Sequence, residues 1–141
     1  MKRNIFKAAT AVAGVYHIIL AVIGLLFSAE MTTKASQIAL GVVLKVDPQM
    51  MFVAKFAAAY MLAFGIMLLV LAYNPVKYSL LAVPAAVLFG VRFLNRIFLF
   101  NAVSSTLGMS WTRNFIGSAV IFLFFALIYF TRPTAKEAAA N

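Results

Sequence analysis

The sequence predicts an all-α integral membrane protein, a four-helix transmembrane bundle, and three observations carry that prediction. Hydrophobic residues make up 65% of the chain and charged residues 11%, against about 45–50% and about 25% in soluble domains. The mean hydropathy is +1.03. The apolar residues also gather into four runs of spanning length, approximately 8–28, 50–73, 78–103 and 113–131. At 141 residues a single domain over 1–141 is expected. No soluble core of that size could hide so much apolar surface, so lipid must solvate it.

The first run, Ala8 to Phe27, follows the basic start Lys2, Arg3 and Lys7. A signal peptide begins the same way, but its apolar region is about 7–15 residues long and ends at a small-x-small site. Here the run is 20 residues and Phe27 stands where a small residue is needed, which favours an uncleaved helix. Residues 28 to 49 form a polar connection around the apolar stretch Ile38 to Leu44, too short to span about 30 Å. A short interfacial segment is expected there, bounded by Lys34 and by Lys45-Val46-Asp47-Pro48. The second run, Met50 to Tyr73, holds one charge, Lys55, and ends at the Asn74-Pro75 turn signal. The third, Tyr78 to Val103, carries Pro84, Arg92, Asn95 and Arg96. A polar link from Ser104 to Ser110 leads to the fourth, Asn114 to Phe130, and a polar, Ala-rich tail expected to fray.

Charge gives an orientation. The twelve Lys and Arg against three acids mostly flank apolar runs and form no basic face, so no nucleic-acid partner is expected. Lys2, Arg3, Lys7, Lys77, Arg132 and Lys136 lie on one side of the expected topology, and Lys34, Lys45 and Arg113 on the other. That imbalance places both termini in the cytoplasm. The chain has no Cys, which removes disulfides, thiolate catalysis and Cys-ligated metals.

The residues most able to carry chemistry are Arg92, Asn95 and Arg96, at i, i+3 and i+4 on the third helix. With Asn101 as its outer boundary, Arg96 lies about 7–8 Å and Arg92 about 13–14 Å below that end. A guanidinium at such depth costs at least about 2.5–3.5 kcal/mol unless paired, hydrated or turned inward. Three readings stay open: pairing with carboxylates or helix-end carbonyls, a site for an anion, lipid headgroup or polar molecule, and snorkelling. Lys55, near the same outer side, either joins that positive group or snorkels. Glu30 and Asp47 are the only nearby acids, facing Lys55, Arg92, Arg96 and Arg113, so a positive surplus is expected.

His17, the single histidine, lies mid-helix on a face shared with Thr10, Gly14, Ala21 and Gly24. That face suits close helix packing, with His17 directed into the bundle. It is read as a satisfied interior histidine, or as a proton-sensing, quinone-contacting or cofactor-ligating group. One His without Cys cannot build a zinc or iron centre, so no metal is expected and no cofactor is specified. Ala54, Ala58, Met61 and Gly65 form a similar small-residue stripe on the second helix. Phosphate-loop, dinucleotide, HExxH and GxSxG motifs are absent, and no acid lies within a run. Catalysis by this chain alone is not expected.

Several segments resemble a bacterial family of small four-helix membrane proteins built on a domain of unknown function, close in architecture to the DoxX-like proteins. The likeness spans about Ala8 to Arg132. It rests on Ala21-Val22-Ile23-Gly24-Leu25-Leu26-Phe27 followed by Glu30, on Asp47-Pro48, on Gly90-Val91-Arg92-Phe93-Leu94-Asn95-Arg96, and on Leu107-Gly108-Met109-Ser110. Arg96 matches the more regular arginine of the family pattern. Asn95 stands where a small residue is common, and the acid expected beside Gly108 is missing. The resemblance implies a four-helix bundle and, through DoxX-like relatives, a link to quinone-dependent oxidation.

The function expected is therefore non-catalytic. The chain would bind a polar or anionic molecule, a lipid headgroup or a partner subunit in its outer half, using Arg92, Asn95, Arg96, Lys55 and His17. Its expected partners are membrane lipids and either a larger membrane complex or further copies of itself, in a bacterial inner membrane. A small anion transporter or channel, and a quinone-linked accessory subunit of a redox complex, are the alternatives.

Overall fold

A computed structural model describes residues 1–42, 44 and 46–133. The expectations for Lys45, Lys136 and the tail beyond residue 133 lie outside the described residues. Six α-helices and no strand occur among those described. They are α1 (Lys2–Leu26), α2 (Ala29–Leu40), α3 (Pro48–Tyr73), α4 (Ala82–Phe98), α5 (Phe100–Leu107) and α6 (Trp111–Thr131), with a 3₁₀ turn at Ser79–Leu81 before α4. Four segments are long and apolar enough to cross a membrane: α1, α3, Ser79–Phe98 and α6. The protein is an all-α, multi-pass membrane bundle.

The boundaries follow from caps and packing. The first helix begins at Lys2, six residues before the apolar run, because Phe6 is fully buried and anchors the first turns. The Ser28 hydroxyl accepts the Met31 N–H to start α2. The Asp47 carboxylate accepts the Met50 N–H at 2.7 Å, with Pro48 in the first turn of α3. The Ser110 hydroxyl starts α6 by accepting the Arg113 N–H. The Asn74 side chain accepts the Lys77 N–H and tightens the turn after α3.

Three expectations change. The helix between α1 and α3 lies mostly upstream of the apolar stretch, at Ala29–Leu40, and takes in only its first three residues, because Gly41 adopts φ 68° and ends it. The Arg113 guanidinium lies against that glycine, and an added Cβ would come within 2.0 Å of its Nη1. The third run is also not one helix. It bends at Leu99 (φ −96°, ψ 13°), and α5 takes in part of the expected link before ending at Gly108, φ 64°. The last span begins at Trp111, behind the Ser110 cap, rather than at 113.

The α1–α3 pair is tight and antiparallel. A Cβ on Gly14 would lie 3.0 Å from the Gly65 carbonyl oxygen, one on Gly65 2.9 Å from that of Gly14, and one on Gly24 2.8 Å from the Ala58 Cβ. Without side chains in the way the two backbones meet directly, which is how helices associate where lipid supplies no hydrophobic drive. The second close pair is α4–α6, where Phe93 meets Phe122 and Gly90 faces Phe125. Contacts between α1 and α6 join the pairs. The half of the bundle nearest the chain termini is filled by Phe6, Ala13, Leu68, Leu71, Ala82, Ala85, Ala86 and Ile128. The other end carries α2 and α5, and the polar side chains gather between it and that core.

Candidate ligand-binding site

On α4 the buried face runs through Ala82, Ala85, Ala86 and Phe89. At about 100° per residue, Arg96 lies within about 20° of the Phe89 direction, Arg92 about 60° away and Asn95 about 120° away. Arg92 and Arg96 accordingly turn inward and are half-buried, while Asn95 is exposed. Of the three residues expected to share one site, Asn95 sits one step farther round the helix and is not brought together with the arginines.

Arg92 donates from Nη1 to His17 Nε2 at 2.6 Å. A guanidinium has no acceptor, so Nε2 must carry the lone pair. The ring proton is then on Nδ1, which donates to the Ala13 carbonyl at 2.7 Å. His17 is therefore neutral in this arrangement, only 2% exposed, and holds a cation by accepting. Its ring is fixed edge-on by Tyr16, Phe64 and Phe89, at centroid distances of 5.6, 5.0 and 5.7 Å. Phe89 stacks in turn on Phe124. These rings make an apolar layer across α1, α3, α4 and α6 on the side facing the core.

Arg96 is held by different groups. Its Nε donates to Asn114 Oδ1 at 2.7 Å and its Nη2 to Met109 Sδ at 3.2 Å. Asn114 is fully buried at the start of α6, and its amide nitrogen donates to the Phe100 carbonyl and the Ser104 hydroxyl. One side chain thus ties α4, α5 and α6 together. Sequence reasoning passed over Asn114 as merely the first residue of an apolar run. The signal available was its helical spacing with Gly117, Ser118 and Ile121, which puts a polar face at the start of α6.

Neither arginine meets a carboxylate among the described residues. Glu30 pairs at the surface with Lys34, Oε1 to Nζ 2.6 Å, and Asp47 caps α3. Carboxylate pairing, one of the open readings for the arginines, is therefore not what holds them: neutral acceptors do. Lys55 is exposed on α3 with no hydrogen-bond partner among the described residues, so it does not join the arginines. No buried side-chain nitrogen or oxygen lacks a hydrogen-bond partner among those residues. No cluster of three or more metal-ligating side chains occurs among them either.

Both guanidiniums border a cavity of about 400 Å³ between α1, α4 and α6. The α1 wall is Val12, Ala13, Tyr16 and His17, and the α6 wall is Gly117, Val120, Ile121 and Phe124. Phe89 closes the α4 side below the arginines. The size falls in the usual small-molecule range, about 300–1,000 Å³. Gly117 gives Arg96 its room, because a Cβ there would lie 3.3 Å from Nη2. A second cavity of about 270 Å³, bounded by Tyr60, Met61, Phe64 and Leu88, lies on the other side of the His17–Arg92 pair. The site thus unites His17, Arg92 and Arg96, adds Asn114 and Met109 as supports, and leaves out Asn95 and Lys55.

Comparison with family models, with curated proteins and with solved structures finds no match for this chain.

Proposed function

We propose that this protein is a non-catalytic membrane binding protein that holds an anionic or strongly polar head at Arg92 and Arg96, in the cavity between α1, α4 and α6. The observation that carries the reading is that Arg92 and Arg96 both line one cavity and neither pairs with a carboxylate among the described residues. Neutral acceptors satisfy one or two donors of each fork, through His17, Asn114 and Met109. Among the described residues the positive charge itself meets no counter-ion. A guanidinium cannot shed its proton, so in a site of low dielectric an anion is the natural complement.

The apolar interior beneath the aromatic layer supports binding over transport, since a conducting route would need polar groups there. We place the molecule in a bacterial inner membrane with both termini cytoplasmic, which makes the α2–α5 end the outer one. A DoxX-like affiliation and membership of a larger assembly belong to the same proposal. Native mass spectrometry of the gently purified protein and of the Arg92→Gln/Arg96→Gln variant tests it, with folding of both checked by circular dichroism. The wild type should carry an anionic species that the variant lacks. The same bound species in both would leave the arginines a purely structural role.

A further inference from the structure

Resting on the reading above, we infer that the occupant is a single-chain anionic amphiphile, one carboxylate or phosphate head on one aliphatic chain, which enters sideways from the lipid between α1 and α6. The polar and apolar parts of the cavity are separated. Arg92 and Arg96 lie towards the α2–α5 end, whereas Phe89, Ile121 and Phe124 form its apolar remainder. A small inorganic anion would occupy a minor part of 400 Å³ and leave the apolar walls in contact with nothing. A chain of methylenes fills them and makes the dispersion contacts that a bare anion leaves unmade.

The mouth of the cavity points the same way. Val12, Tyr16 and Val120 line it and are 59%, 54% and 46% exposed, so the opening lies between α1 and α6. These residues stand near the middle of their helices, at the depth of acyl chains rather than of water. With the head at the arginines and the tail at the mouth, the ligand points its head towards the α2–α5 end. An amphiphile in the leaflet on that side already has this orientation, so it can slide in without turning over. Two features limit the head. His17 holds Arg92 from one side, and Asn114 with Met109 holds Arg96 from the other. The donors left over suit a compact head with two or three oxygens.

The test is a titration of the full chain, stripped of lipid in a neutral detergent, followed by native mass spectrometry. The probes are laurate, dodecyl phosphate, methyl laurate and inorganic phosphate. Laurate or dodecyl phosphate should bind one per chain, and methyl laurate and inorganic phosphate at least tenfold more weakly. Whichever of the two charged probes binds identifies the head. Val12→Phe and Val120→Phe, which narrow the mouth without touching a hydrogen bond, should weaken that binding at least tenfold. They keep the test open if Arg92→Gln/Arg96→Gln does not fold. Inorganic phosphate binding as tightly as dodecyl phosphate, and lost in the arginine variant, would overturn the amphiphile inference and leave the anion site standing. Laurate binding that is indifferent to the arginine variant would overturn both.

Discussion

Replacing Asn114 with leucine removes the oxygen that receives the Arg96 Nε–H and leaves the Phe100 carbonyl without that donor. Leaving such buried groups unmatched costs about 1–3 kcal/mol each. Asn114→Leu should therefore lower the thermal midpoint in detergent clearly, and Arg96→Leu by a comparable amount, since it strands the same amide. Lys55→Leu should leave the midpoint nearly unchanged, because that side chain is exposed and makes no hydrogen bond among the described residues. Equal shifts for Arg96→Leu and Lys55→Leu would remove the argument for a special interior arginine. At His17 the acceptor matters, not the ring. His17→Phe keeps the bulk among Tyr16, Phe64 and Phe89 but turns a carbon edge to Arg92, whereas His17→Gln keeps an acceptor of shorter reach. The glutamine variant should hold anionic ligand better than the phenylalanine variant by native mass spectrometry. The reverse order would mean that the His17–Arg92 bond does not position the guanidinium.

Among the elements, the two antiparallel pairs carry different chemistry and respond differently to change. Gly65→Leu inserts a side chain where a single Cβ already meets the Gly14 carbonyl at 2.9 Å, so α1 and α3 must separate. Loss of the cooperative transition is expected, read by circular dichroism on heating. Gly108→Ala, at φ 64° with nothing within 4 Å, meets only the left-handed backbone penalty of about 1–2 kcal/mol. A smaller fall in midpoint than for Gly65→Leu is predicted. The long helices were legible in the sequence because about 20 apolar residues have few other uses, and the glycine stripes because small residues repeat at helical spacing. The end helices were not. Composition showed Ile38 to Leu44 as apolar, but the terminator is a backbone feature, the left-handed Gly41 under Arg113. For the candidate site, depth in the expected helices singled out Arg92, Arg96 and His17, which the fold brings to one cavity. Asn95 lies farther round the helix because a three-residue spacing alone does not say where the centre of the buried face lies, and exposed Lys55 fits the snorkelling reading. Asn114 escaped because its partners come from α4 and α5, which only tertiary packing brings to it.

At the scale of the whole molecule, the bundle is divided along its length. An apolar core fills the end nearest the termini, an aromatic layer closes it, and cations with neutral acceptors occupy the space under α2 and α5. This polarity goes with the positive-inside imbalance. Reporter fusions at Asn74 and Asn141 should report the cytoplasm, and one at Thr33 the opposite side. A reversed pattern would put the arginine cavity in the cytoplasmic leaflet. Arg92 and Arg96, lining one cavity within the membrane, are proposed to await an external anion. The most direct measurement is a high-resolution cryo-EM map of the protein in a lipid nanodisc, with a fiducial binder to add mass. Density is expected between α1, α4 and α6, with its head within hydrogen-bond distance of both Arg92 and Arg96. A cavity holding only water, with either guanidinium swung out to the α5 surface, would contradict it.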